Sequence, residues 1–191
     1  MDLPLNMVTV AMLCENMPGN NATKPGDVVT AMNGKTIEVD NTDAEGRLIL
    51  ADGLCYLSEK KPETLLDLAT LTGAVIIALG HVTAAVYTNS TPLFSELEKA
   101  SYQTNDYLWR MPIFRDEYLG QMKSDVSDYN NIGGRPGGSC TAATFLSEFV
   151  DFSKVKRWAH LDIAAVTKTK VGYTGRPTRA VLKFLQQVAR K

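Results

Sequence analysis

The stretch VVTAMNGKTIEV, residues 28–39, passes through DNTDAEG, residues 40–46, into RLILADGLCYLS, residues 47–58, and its apolar rhythm changes on the way. Val28, Val29, Ile37 and Val39 flank a central Asn33-Gly34 pair. Asn and Gly tolerate the positive φ of a tight turn, so these residues predict a β-hairpin closed by a two-residue turn. From Leu48 onward the apolar positions Leu48, Ile49, Ala51, Leu54, Cys55 and Leu57 recur every three to four residues, the spacing of an amphipathic helix ending near Glu59. Between hairpin and helix, Asp43, Glu45 and Arg47 place two carboxylates and a guanidinium within five residues. If that segment is extended, Asp43 and Glu45 share a face, because strand residues two apart point the same way. Two such carboxylates can reach one divalent cation, and one carboxylate can bridge two. The helix dipole alone also favours acids at a helix start, so composition leaves both readings open.

On the N-terminal side, Leu3, Leu5, Met7, Val8, Val10 and Met12 make a nearly continuous apolar run from Asp2 to Leu13, expected of an interior strand buried on both faces. Glu15 to Asp27 gathers Asn16, Pro18, Gly19, Asn20, Asn21, Pro25 and Gly26, and reads as a loop. Beyond the helix, Thr64 to Leu71 is a second apolar run, and Ala74 to Leu79 with Val82 to Tyr87 continue as strand-compatible sequence. Thr91 to Thr104 predicts a helix with Leu93, Leu97 and Ala100 on one face. A polar, aromatic segment from Asp106 to Asn131 precedes a glycine-rich loop, Gly133 to Gly138. Thr141 to Val150 then predicts a helix, Trp158 to Val166 a strand, and Arg179 to Arg190 a helix with Val181, Leu182, Leu185 and Val188 inward. Strands alternating with helices imply an α/β fold with a mixed central sheet flanked by helices on both faces. An interior strand that opens the chain has nothing before it to pair with, so the sheet is expected to be incomplete at its N-terminal side.

The 191 residues, 45% hydrophobic, suffice for one domain or most of one. Twenty basic and 21 acidic side chains give a net charge of −1, with no block of like charges, which points away from nucleic acid and anionic membranes. No apolar run approaches the ~20 residues of a membrane span, so a soluble, cytoplasmic protein is expected. Cys14, Cys55 and Cys140 are odd in number and far apart, against a disulfide framework or a thiolate zinc site. With only His81 and His160, any metal would be held mainly by carboxylates.

The segment Asn41-Thr42-Asp43-Ala44-Glu45-Gly46-Arg47, followed by Leu48 and Ala51, resembles the signature of the leucyl aminopeptidase family, (N/D)TDAEGR before a helix. Further family motifs follow in order: Glu15-Asn16-Met17-Pro18, Lys24-Pro25-Gly26-Asp27, Ala69-Thr70-Leu71-Thr72-Gly73-Ala74, Trp109-Arg110-Met111-Pro112, Asn130-Asn131-Ile132-Gly133, Trp158-Ala159-His160-Leu161-Asp162-Ile163-Ala164 and Thr174-Gly175-Arg176-Pro177. The resemblance covers nearly the whole chain and identifies residues 1–191 as the C-terminal portion of such a catalytic domain. It implies a two-metal exopeptidase acting on peptides, cytoplasmic and homo-oligomeric, a hexamer in the family, with two zinc or manganese ions as cofactors. By the same resemblance Asp43 ligates one metal, Glu45 bridges both, and Arg47 holds a bicarbonate-like anion that serves as general base. Backbone amides at Gly46 and Leu71 would cradle that anion. Thr70, Leu71 and Gly73 would contact the substrate backbone, and Ala164, with Thr70 and Gly73, would line the pocket for the N-terminal side chain. Thr167 stands where many members carry a larger apolar residue.

The family draws its remaining ligands, a lysine and two aspartates, and a second catalytic lysine, from motifs of the form KG(I/L)(T/S)FD(S/T)GG, (S/G)(I/L)K and DM(G/S)GA, none of which occurs in this sequence. Two carboxylates hold two cations poorly, so the chain is expected to be a piece of something longer and inactive alone. The rival expectation is a non-catalytic subunit with a structural or regulatory role. Lesser candidates are the Gly133–Ser139 loop as a phosphate cradle, which lacks the GxxxxGK(S/T) order, Asp125 with Asp128 as a cation site, and Cys140 as a nucleophile. His160, on an apolar strand, reads as a core histidine.

Overall fold

A computed structural model describes residues 3–15 and 17–190, leaving Asp2 and Asn16 outside the described residues. The elements run β1 (Val28–Thr30), β2 (Thr36–Glu38), a 3-10 turn (Thr42–Ala44), α1 (Glu45–Ser58), β3 (Thr64–Ala69), α2 (Gly73–Leu79), β4 (Ala84–Thr88), α3 (Thr91–Thr104), β5 (Leu108–Arg110), α4 (Arg115–Leu119), β6 (Tyr129–Asn130), α5 (Gly138–Ser147), β7 (Arg157–Asp162), β8 (Lys168–Thr169), β9 (Gly172–Tyr173) and α6 (Thr178–Val188). The result is a mixed α/β fold whose sheets are small. The chain divides into two compact units, each built from separated segments, so no linker composition could mark a boundary in the sequence.

The first unit comprises Val10–Leu65 and Ile113–Lys156. Its sheet has the order β1-β2-β6, with Val29 opposite Ile37 in the antiparallel pair and Ile37 opposite Tyr129 in the parallel one. The hairpin forms as expected, but its loop is longer than two residues. Gly34 donates to the Ala31 carbonyl and Ala31 to the Lys35 carbonyl, both at 2.8 Å, with Gly34 at φ 86°. This is a three-residue loop whose glycine takes the left-handed position, a solution that the same Asn-Gly pair also satisfies. Leu50, Ala51 and Leu54 of α1 are buried, and α1 packs on α5. At Gly53 a Cβ would come within 2.5 Å of the Met12 sulfur, so only glycine lets Met12 lie flat on α1. Helix α5 starts at Gly138, three residues before the expected Thr141, and Ser139 to Leu146 are buried without interruption.

The second unit comprises the chain before Val10, Leu66–Pro112 and Arg157 onward. Its sheet has the order β3-β7-β4-β5, with β4 antiparallel to β7 (Val86 opposite Leu161) and parallel to β5 (Ala85 opposite Trp109). Every residue of β4 is buried, and α3 packs against the sheet and against α6. Helix α3 matches its expected range, since the Ser90 hydroxyl accepts from Leu93 N at 3.3 Å and Pro92 fits the first turn.

Three further expectations fail. Leu3 to Leu13 forms no strand, and Met7, Val8 and Leu13 are 65%, 61% and 88% exposed, because a doubly buried strand needs ladder partners on its edges and none among the described residues pairs with it. Ala74 to Leu79 is helical: the Thr72 hydroxyl accepts from Val75 N at 3.2 Å, Gly80 ends the helix at φ 66°, and so short an apolar run carries no period to distinguish helix from strand. In α6 the buried residues are Ala180 and Phe184, four apart on one face, while Leu182 is exposed and Val181, Leu185 and Val188 only half-buried. No helix among the described residues is long and apolar enough to cross a membrane.

Candidate active site

Residues 41–47 leave the hairpin in a 3-10 turn, where the Asn41 side chain accepts from Asp43 N at 2.9 Å, and enter α1 at Glu45. The backbone here is a turn, so the alternation argument for a shared face does not hold. Asp43 and Glu45 nevertheless line one cavity of about 740 Å³, together with Thr42, Leu48, Ile49 and Asp52. Asp52 is tied down, its carboxylate accepting from Met32 N at 2.8 Å. Among the described residues no hydrogen bond or ion pair reaches the carboxylate of Asp43 or Glu45. Arg47, in the first turn of α1, is buried, and its Nη1 donates to the Asn131 carbonyl at 2.7 Å.

Asn131 is a residue that sequence reading quoted in a motif without giving it a task. Fully buried, it accepts through Oδ1 from the amides of Asp40 (2.9 Å) and Asn41 (3.2 Å) and donates through Nδ2 to the Asn41 carbonyl at 2.7 Å. It therefore holds both the entry to the acidic turn and the guanidinium behind it. Its partners, the amides of Asp40 and Asn41, the Asn41 carbonyl and the Arg47 guanidinium, lie 84–91 residues away in sequence and leave no local signal.

In the second unit, Thr70, Leu71 and Gly73 follow β3, and Ala164 follows β7. The two strand ends meet through Ile163 N, which donates to the Ala69 carbonyl at 2.9 Å. Thr70 and Gly73 are exposed, Leu71 and Ala164 half-buried. A Cβ on Gly73 would meet nothing within 4 Å, so the space beside its backbone is open. Deeper in the sheet, buried Asp67 accepts from Trp158 Nε1 at 2.8 Å and contacts His160 Nδ1 at 2.5 Å. His160 is thus a core histidine, partnered on one ring nitrogen; its Nε2 finds no hydrogen bond among the described residues.

The donor set decides what these residues can hold. Carboxylate oxygens suit hard divalent cations, and Asp43 and Glu45 supply them on one wall. No group of three or more His, Cys, Asp or Glu side chains gathers into a metal cluster among the described residues. The lesser candidates take structural parts. Asp128 accepts from Thr36 N (2.8 Å) and Oγ1 (2.9 Å), bonds that lower its pKa and anchor the strand start. Cys140 is buried in α5, and Gly133 sits where a Cβ would crowd Thr141.

Comparison with known proteins identifies the fold and the family. A solved tomato leucine aminopeptidase mutant superimposes with a TM-score of 0.86 at 44% sequence identity, over 91% of this chain and 34% of that one. The model of the cytosol aminopeptidase family, catalytic domain, matches residues 1–182, and the chain belongs to that family. Proteins named cytosol aminopeptidase from Bos taurus and from Vibrio cholerae serotype O1 are each 53% identical to it, over 97% and 96% of this chain. The chain spans 37% and 36% of those two proteins' lengths.

Proposed function

We propose that this chain forms part of a metal-dependent aminopeptidase that releases N-terminal amino acids such as leucine from peptides. The observation that carries the reading is the pair Asp43 and Glu45, two carboxylates without partners among the described residues, on one cavity wall and inside the family signature. Exposed Asp52 on the same wall takes a backbone donor, whereas Asp43 and Glu45 are left open and offer the hard oxygen ligands that a divalent cation prefers. Asp43 and Glu45 would hold two divalent ions, zinc or manganese, with further ligands from outside this chain. When bound, such ions polarise a scissile carbonyl and acidify water.

The chain's own residues do the rest. Arg47, fixed by the Asn131 carbonyl, would orient a bicarbonate-like anion that accepts the proton of the attacking water, with the amide of Gly46 donating to the same anion, whereas the Leu71 amide is engaged by Asp162 Oδ1 at 3.2 Å. Thr70, Leu71 and the open backbone at Gly73 would bind the substrate main chain, and Ala164 would bound the pocket for its N-terminal side chain. Peptide substrates, a homo-oligomer and a cytoplasmic location belong to the same proposal.

The test is release of a chromogenic amine from a leucine amide by the protein as it occurs naturally. Glu45→Gln lowers turnover on the order of 10³-fold, and the 191 residues alone release no amine even with excess manganese or zinc. Turnover by the chain alone, abolished by Glu45→Gln, would show that Asp43 and Glu45 suffice; a natural protein without turnover would establish a structural or regulatory subunit instead.

A further inference from the structure

Asp162 closes β7 fully buried, and its carboxylate oxygens divide their work unequally. Oδ1 accepts from the Leu71 amide and from the Ala164 amide, each at 3.2 Å. Oδ2 accepts from the Thr72 hydroxyl at 2.6 Å, and that hydroxyl in turn accepts from Val75 N at 3.2 Å to start α2. A single oxygen atom thus joins the segment carrying Thr70, Leu71 and Gly73 to the segment carrying Ala164. Three donors converge on one side chain, the Thr72 hydroxyl at 2.6 Å and the two amides at 3.2 Å. Nothing about the sheet itself requires this arrangement, because Ile163 N and the Ala69 carbonyl already pair the strand ends.

The geometry points to Asp162 as the positioning residue that sets the width of the pocket for the substrate's N-terminal side chain, by fixing the Leu71 and Ala164 backbones to one atom. The inference rests on the aminopeptidase reading and adds to it a determinant of selectivity that need not touch substrate. A shift of about 1 Å between two pocket walls is enough to change which side chain fills the space between them.

The unequal division of the two oxygens supplies the control. In Asp162→Asn the amide oxygen replaces Oδ1 and keeps both backbone bonds, while its N–H₂ donates to the Thr72 hydroxyl, which has lone pairs to accept. Asp162→Ala removes every tie. Both variants are made in the natural protein and assayed on leucine and alanine amides, with hydrogen exchange followed at the Leu71 and Ala164 amides. Asp162→Ala raises KM for the leucine amide about tenfold and flattens the leucine-over-alanine preference, with kcat changed less than about threefold. Asp162→Asn keeps the preference within about threefold, and exchange protection at both amides is lost in the alanine variant only. If Asp162→Ala merely lowers kcat in step with the folded fraction, keeping KM and preference, the residue is structural and the inference is overturned. If the wild type turns over neither amide, the aminopeptidase reading falls and the selectivity role with it, while loss of exchange protection still shows whether Asp162 ties the two segments.

Discussion

The acids of the signature turn in the first unit and the buried acids of the second are treated in opposite ways. The second unit buries Asp67, Asp106 and Asp162 almost completely and surrounds each with donors: Trp158 and His160 for the first, Arg176 and Arg179 for the second, Leu71, Thr72 and Ala164 for the third. The first unit leaves Asp43 exposed and Glu45 half-buried, with no partner among the described residues, and keeps one acid, Glu148, enclosed by Lys35, Arg115 and Tyr129. An enclosed carboxylate with its donors in place is spent on holding the fold, whereas an open pair is retained for something the chain does not contain.

The comparison breaks first at Asp67. Asp67→Ala takes a charged acceptor from the indole of Trp158 and the ring of His160 in the sheet, and should cost about 3 kcal/mol, read from the urea midpoint of unfolding. A loss too small to resolve would mean the buried acids are not what holds the second unit.

Glu148 tests the first unit through pH. Burial pushes its carboxyl up, but hydrogen bonds from Arg115, Tyr129 and Lys35 outweigh burial and hold it at about 2 against an ordinary 4.5. A pKa lowered by folding gives stability that is fully present above pH 4.5 and fades as pH falls through about 2. The contribution is on the order of 3 kcal/mol, so the stability gap between wild type and Glu148→Gln should shrink over that window. A gap that widens on acidification would reverse the assignment. Tyr129, whose hydroxyl donates to the same carboxylate at 2.6 Å, has its pKa raised by burial and by that bond, and stays neutral throughout.

The smallest effect sharpens the contrast most. In metal-free protein, Asp43→Asn should leave the melting temperature unchanged within error and Glu45→Gln should cost only its interaction with the start of α1, on the order of 0.5 kcal/mol, because neither carboxylate is bonded to the fold. A clear drop on either substitution would place that side chain in the scaffold.

Helices α1 and α3 were legible because a stripe of apolar residues at helical spacing, begun by Ser90 in the case of α3, needs no information from elsewhere in the chain. The acidic turn was legible for a different reason, as a run of residue types in fixed order. What the sequence hid lies at long range or in runs too short to carry a period. Helix α2 hangs on one Thr72 hydroxyl, and the segment from Leu3 to Leu13 has the composition of a buried strand without partners to make it one. Asn131 and Asp162 bond to residues 84–91 positions away, where no spacing rule reaches.

Asp67 and its donors also set a schedule for the chain on the ribosome. The carboxylate emerges 91 residues before Trp158 and 93 before His160. At ~5–20 residues per second it stays hydrated for roughly 5–20 seconds before any of its native donors exists. Strand β3 is therefore made early and finished late, with Leu65 and Leu66 beside Asp67 left hydrated through that interval.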